Sequence, residues 1–312
     1  MKKFGWYGKN QRIQRYRCTQ CGKTFSDTPP RPFDELRIPI ALGCQAVHLL
    51  VEGMGIRATE RLTRLHRDTV MAILEVAGHK CARLLDEKIL NVAVESVQVD
   101  ELWCFVGCKQ IHNTLKAAHL GDQYTFLGID RASKLILSHT VGKRDYPTTL
   151  RFVQDIKKRV DGRIQLTSDQ WQGYVRAVLE TFYSEIDFAQ QQKEFAPSPN
   201  GSSNVTARRY SPPQCVGIKT KIHIGNPNWN QISTSHVERT NLSVRLFTRR
   251  FTRLTLGYSK TLENLKHAVA LFVAHFNFCR VHSAHKQTPA MAAGLTDRVW
   301  TISDLLAPSI AP

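Results

Sequence analysis

The stretch Ser96-Val97-Gln98-Val99-Asp100-Glu101-Leu102-Trp103-Cys104-Phe105-Val106 decides how the rest of this chain reads. Apolar residues dominate it, β-branched and aromatic side chains recur, and no glycine or proline interrupts it. That composition predicts a buried strand over 97–106. One carboxylate, Asp100, sits in the middle of it. A second apolar run, Ile164-Gln165-Leu166-Thr167-Ser168-Asp169, ends on another aspartate. A third acid, Glu238, lies near the start of an Arg-rich helical stretch, His236-Val237-Glu238-Arg239-Thr240-Asn241. Two strand-borne aspartates and one helix-borne glutamate are the parts of a divalent-metal pocket. Converging carboxylates repel one another and are costly unless a cation joins them. Hard cations such as Mg²⁺ or Mn²⁺ take oxygen donors of this kind. Each acid alone is weak, because Asp169 also suits a helix N-cap and Glu238 a helix N-terminus. Glu101, Asp122 and Asp130 are rivals. Strand alternation places Glu101 on the face opposite Asp100, so only one of the two is expected at the site.

Working outward, strands are expected over 125–129 and 135–141, joined as a hairpin through 130–134. A helix follows over 147–160, then the strand ending at Asp169, a helix over 171–182 and a fifth strand over 185–189. Three strands, a helix, a strand, a helix and a strand describe an antiparallel meander joined to parallel crossovers. The fold class expected is therefore α/β: a mixed five-stranded sheet with flanking helices, preceded by a small helical domain. Residues 190–231 read as a long polar insertion, mobile over 196–206, with one possible strand at 219–224. Two helices close the chain, over 234–253 and 261–279. In the second, Leu262, Leu265, Val269, Phe272, Phe276 and Cys279 make an apolar stripe, which is a core face.

The N-terminal third divides in two. Residues 1–33 read as a basic irregular arm, with eight Lys/Arg up to and including Arg31 and a single acid, Asp27, closed by a proline-rich linker at 28–32. Residues 34–90 read as helical. Within them 53–62 and 65–74 fit a helix-turn-helix with Ile56, Leu62, Val70 and Leu74 as its core and Asp68 as a cap. That arrangement offers Arg57, Arg64, Arg67 and Thr69 to a DNA groove. Arg245 and Arg249 on the later Arg-rich helix are the further candidates for phosphate contact. Two ordinary packed helices and a solvated basic face are the plainer alternatives.

Forty-three Lys/Arg against 26 Asp/Glu, a net charge of +17, favour a polyanionic partner. No run of about 18 apolar residues occurs, so no membrane span is expected. The eight cysteines are scattered, which suits reduced thiols and a cytoplasmic location rather than a disulfide scaffold. Cys104 and Cys108 read as buried thiols. His267, His275 and His282 read as packing or surface residues.

Three motifs carry a family resemblance. The stretch Gly225-Asn226-Pro227 and, after it, 232–242 around Glu238 resembles the glutamate region of insertion sequence 1 family transposases. So does Arg249-Arg250-Phe251-Thr252-Arg253-Leu254-Thr255, and so does the tail 274–282 with Thr288-Pro289-Ala290-Met291. The resemblance implies a ribonuclease-H-like catalytic domain over 91–312. It implies an Asp-Asp-Glu triad at Asp100, Asp169 and Glu238 that holds Mg²⁺ or Mn²⁺. It further implies double-stranded DNA, both transposon ends and target, as substrate, and a homo-oligomer assembled on it. The implied reaction is cleavage followed by strand transfer. A catalytically silent DNA-binding regulator, or a nuclease that does not join, would share the same motifs. The 69-position gap between Asp169 and Glu238 is long for the family, and the insertion at 190–231 accounts for it. Finally, Cys18-Thr19-Gln20-Cys21-Gly22 resembles half of a zinc ribbon. A structural zinc site needs four ligands, so Cys18 and Cys21 leave the set incomplete, and an upstream pair is expected to supply the rest. Cys44 and His48 are poor substitutes.

Overall fold

A computed structural model of the chain describes residues 1–7, 13–26, 32–33, 36–114, 116–196, 215–253 and 255–307. Most of the expected proline-rich linker, with Asp27 and Arg31, and nearly all of the 196–206 stretch lie outside the described residues.

The stretch that opened the reading is the central strand, β5 (Ser96–Val106). Val97, Val99, Leu102 and Val106 are fully buried on it. It pairs antiparallel with β6 (Gly121–Asp130), which pairs antiparallel with β7 (Ile136–Gly142). On its other side β5 runs parallel to β9 (Ile164–Ser168), which runs parallel to β10 (Ile186–Phe195). Helix α4 (Tyr146–Arg159) makes the crossover from β7 to β9, and α5 (Gln172–Phe182) the crossover from β9 to β10. Asp145 starts α4 by accepting from the Thr148 amide, with Pro147 in the first turn, where its missing N–H costs nothing.

The sheet has six strands rather than the expected five. Strand β11 (Cys215–Ile224) adds antiparallel to β10, from Phe188 opposite Ile224 out to Phe195 opposite Cys215. The supposed insertion therefore begins as a continuation of β10 and returns as β11. Its side chains are mostly exposed, so neither half shows the apolar alternation that marks a buried strand. Because β11 runs back along β10, the chain arrives at Ile224 beside the body of the sheet.

The basic arm is also more ordered than its composition suggests. It contains β1 (Lys2–Tyr7), β2 (Ile13–Arg17) and β3 (Thr24–Ser26), paired in that order as an antiparallel sheet, with Tyr16 stacked on Phe25. Strands β4 (Val92–Ala93) and β8 (Val160–Asp161) pair in parallel as a small separate ladder.

Three helices precede the large sheet: α1 (Ile40–Val51), α2 (Ile56–Thr63) and α3 (Arg67–Lys88). Two details of the helix-turn-helix reading change. Leu62 is 58 % exposed, and α2 instead buries Thr59 and Thr63. His66, not Asp68, caps α3, its ring nitrogen accepting from the Asp68 amide. Helix α3 also runs nearly four turns beyond the expected motif, packing against α7 (Leu262–Phe278). At its C-terminus the nearly buried Arg159 guanidinium donates to the carbonyls of Leu85 and Ile89 and bonds the carboxylates of Asp86 and Asp155. Those contacts satisfy carbonyls that a helix end otherwise leaves unpaired.

Helix α6 (Ser235–Phe247) is shorter than expected. The chain is extended at Thr248 and then makes a single 3₁₀ turn over Arg249–Phe251, which buries Phe251. Two short helices, α8 (Pro289–Ala292) and α9 (Ile302–Leu306), complete the described chain. No helix among the described residues is long and apolar enough to cross a membrane.

Candidate active site

Strand β9 stops pairing with β5 at Ser168 opposite Val99. Asp100 and Glu101 on β5 and Asp169 after β9 therefore lie together where the parallel ladder ends. Carboxylate oxygens of all three fall within 4.8 Å of one another. Glu101 was expected on the opposite face from Asp100. Alternation does hold, since Asp100 bonds Asn241 on α6 while Glu101 bonds Arg144 on the side of α4 and α5. The ladder's end leaves no neighbouring strand between them, so both side chains reach Asp169.

Asp100 is the best supported of the three. Its Oδ1 accepts from the Glu101 amide at 2.8 Å and its Oδ2 from Asn241 Nδ2 at 2.7 Å. Burial, then the charge of Asp169 and also that of Glu238, raise its carboxyl to about 6, against those hydrogen bonds. Burial and the charge of Asp169 raise Glu101 to about 8, while the Tyr174 hydroxyl and Arg144 pull the other way. Arg144 bridges Glu101 at 3.0 Å and Asp169 at 3.3 Å, with its guanidinium over the Trp171 ring. Asp169 also accepts from the Trp171 amide, but it is not the helix cap its position suggested: Trp171 is the N-cap of α5, and no side chain caps it.

Glu238 faces the cluster without joining it. Its carboxylate is clamped by Lys193 of β10, with one contact at 2.6 Å, and accepts from the Thr234 hydroxyl at 2.7 Å. Its helix is nonetheless docked firmly on the central strand. The buried Gln98 Oε1 accepts from the His236 and Val237 amides at the start of α6. Asn241, nearly one turn beyond Glu238, reaches Asp100. Residues 225–234 thus bring the chain from the end of β11 to the carboxylates.

Sequence reasoning missed four residues that shape this site. Glu101 was set aside by the alternation rule. Gln98 was visible as a polar residue two positions before Asp100 in an apolar strand. Gln190 donates to the Asp169 and Trp171 carbonyls and fixes the chain after Asp169. Lys193 carried no local signal, because its partner lies 45 positions away.

The donor set fits a hard divalent cation. It consists of carboxylate oxygens only, and Asn241 Oδ1, on the amide that bonds Asp100, is buried with no hydrogen-bond partner.

The basic residues fall into two groups. Arg57, Arg67, Arg249 and Arg250 line one cavity of about 680 Å³, between the start of α3 and the turn after α6. It shares Arg250, Leu256 and Tyr258 with a larger cavity of about 830 Å³ that adds Lys109, Arg253, Trp103 and Phe105. Burial alone lowers the Arg250 guanidinium to about 10, and its Nε donates to Ser259 Oγ at 2.8 Å. Burial, then the charge of Arg253, lowers the Arg245 guanidinium, and the charge of Asp100 opposes this; Arg245 itself lines neither cavity of this trough. Arg64 is exposed at the left-handed end of α2, and Thr69 is half-buried in the first turn of α3; neither lines the trough.

Cys18 and Cys21 sit in the turn between β2 and β3, where the Gly22 amide donates to the Cys18 carbonyl. No third ligand joins them among the described residues. Cys44 Sγ instead lies 3.4 Å from Ser303 Oγ. Cys104 is buried, which pushes its thiol up to about 12.

No family model matches the chain, and no curated protein matches it by sequence. Among solved structures, it aligns with a piggyBac transposase in a synaptic complex with hairpin DNA at 10 % identity and a TM-score of 0.38. That alignment covers 85 % of this chain and 68 % of the other. It also aligns with the Mos1 strand transfer complex at 14 % identity and a TM-score of 0.21, covering 51 % of this chain and 58 % of the other. Overlaps this shallow leave the reading of the site to its own geometry.

Proposed function

We propose that the protein is a DNA transposase of the Asp-Asp-Glu type, with Asp100, Asp169 and Glu238 as its acidic triad. The observation that carries the reading is the docking of α6 on β5. Gln98 accepts from the first amides of the helix that carries Glu238, and Asp100 bonds Asn241 on the same helix, which supports grouping Glu238 with the two aspartates. The order β7-β6-β5-β9-β10, an antiparallel meander followed by two parallel strands, supports a ribonuclease-H-like assignment, with β11 as an addition.

Asp100 and Asp169, with Glu238 drawn in from Lys193, would hold Mg²⁺ or Mn²⁺. Such an ion supplies Lewis acidity to an in-line phosphodiester displacement. Glu101 braces Arg144 and keeps Asp169 in place. Arg144 and Lys193, which neutralise acids in the metal-free protein, become phosphate contacts once released. Arg57, Arg67 and Arg249 bind the duplex backbone along the trough, with Arg64 at the turn after α2, Thr69 in the first turn of α3 and Arg245 nearest the reacting phosphate. The active species is a homo-oligomer on DNA.

The test uses labelled oligonucleotides from the DNA flanking the gene, a supercoiled target plasmid and Mg²⁺ or Mn²⁺. End cleavage followed by joining is the expected result. Cleavage without joining would assign a nuclease. Salt-sensitive binding without cleavage would assign a silent regulator.

A further inference from the structure

A second group of ligating side chains lies far from the carboxylates in sequence and on other elements. Glu75 and His79 are one turn apart on α3, and His267 projects from α7 at the point where the two helices cross. One ligand atom from each lies within 4.8 Å of the other two. Gly78 makes this approach possible. A Cβ at that position would come within 2.4 Å of His267 Cβ, so any other residue would push α7 away. The His79 and His267 rings are 4.4 Å apart between centroids and tilted by 56°. His267 is only 7 % exposed, whereas Glu75 and His79 face solvent. The group opens on a cavity of about 410 Å³ that Glu263 and His139 also line.

Two imidazoles and one carboxylate form a mixed nitrogen and oxygen donor set, unlike the all-oxygen set of the candidate active site. Nitrogen donors favour zinc and its neighbours over Mg²⁺. A crossing of two helices that needed only packing would be served by apolar side chains. Here two imidazoles and an acid gather beside the close approach of Gly78 to His267.

We propose that Glu75, His79 and His267 bind a divalent transition-metal ion of the zinc class, which clips α3 to α7. Three protein ligands leave the fourth position to water from the cavity, so this is the open kind of zinc site and not the closed four-ligand kind that the paired cysteines would need. The clip fixes the helix that begins at Arg67 against the body of the protein. It does not depend on the transposase reading.

The test is Zn²⁺ titration of the chelator-stripped full chain against a chromophoric competitor, in a Cys18→Ser/Cys21→Ser background that removes the paired thiols. One zinc is expected to bind, and thermal unfolding is expected to move up as zinc is added. His79→Ala and Glu75→Gln are the informative variants, because both side chains are exposed and their loss leaves the packed interface intact. His79→Ala is expected to weaken zinc on the order of 100-fold and Glu75→Gln about tenfold. Co²⁺ added in place of zinc should give visible absorption that His79→Ala abolishes. Zinc affinity and a Co²⁺ spectrum unchanged by both variants would overturn the proposal. So would the loss of all zinc binding in the Cys18→Ser/Cys21→Ser background.

Discussion

The two sides of the acidic site are built differently. Asp100, Glu101 and Asp169 sit on or beside strands in the middle of the sheet, where backbone pairing sets their positions. Glu238 sits on a helix, half exposed, and its carboxylate is held by the mobile ammonium of Lys193. The strand side buries its carboxylates and keeps them close, and burial first, then the charge of Asp169, raises the Asp100 and Glu101 carboxyls. The helix side carries an adjustable acid that a cation competes for. On the proposed reading, a site divided this way would be completed by Glu238 only when metal binds.

The largest effect expected falls on the strand side. Asp100→Asn should lower Mg²⁺-dependent end cleavage by about 10³-fold or more, since a metal ligand is lost, while the protein stays folded. Undiminished cleavage by this variant would refute the assignment. Gln98→Met tests whether the helix side depends on the strand side. It removes the acceptor for the His236 and Val237 amides and should destabilise the protein by about 1–3 kcal/mol. Displacing Glu238 should also cost about 10²-fold in cleavage. If cleavage stays at the wild-type level, α6 is positioned by something else. Lys193→Met should act in the opposite sense. Freed from its clamp, Glu238 should bind Mn²⁺ about three- to tenfold more tightly in calorimetry without DNA. Unchanged affinity would mean the clamp does not oppose the metal.

The smallest effect is a pH slope. Asp100 and Glu101 have folded-state carboxyls raised above their unfolded values, to about 6 and about 8. The folded protein then holds more protons than the unfolded one between about pH 4 and pH 8, so metal-free stability falls as pH rises through that window. Chemical denaturation at several pH values should show this decline, and Glu101→Gln should flatten its upper half. A rise in metal-free stability over the same range would contradict it. Metal binding should release protons in that window and reverse the trend.

Legibility in the sequence followed burial. Strands β5, β6, β7 and β9 have apolar faces against helices, and the pattern of 97–106 and 164–169 announced them together with Asp100 and Asp169. The arm strands and β11 turn charged or exposed residues outward on most positions, so alternation could not reveal them. Leu62 misled because an apolar residue in an amphipathic helix was assumed to face inward. Glu101 misled for a different reason: the alternation rule assumes a continuous sheet, and the site lies where a ladder stops. Gln98, Gln190 and Lys193 act on partners distant in sequence, and short-range pattern does not encode such pairs.

The Arg159 guanidinium has a consequence for how the chain folds. It ties the last turn of α3 to the crossover helix α4, across more than 70 positions. Earlier on α3, Gly78 meets His267 across nearly 190 positions. Helices that would look autonomous in isolation are thus completed by residues translated long after them. Contacts this distant slow folding, because loops must close before the contacts that reward closure can form. The first ninety residues and the sheet should unfold in one cooperative transition, and a fragment ending near Ile89 should not hold α3 in place.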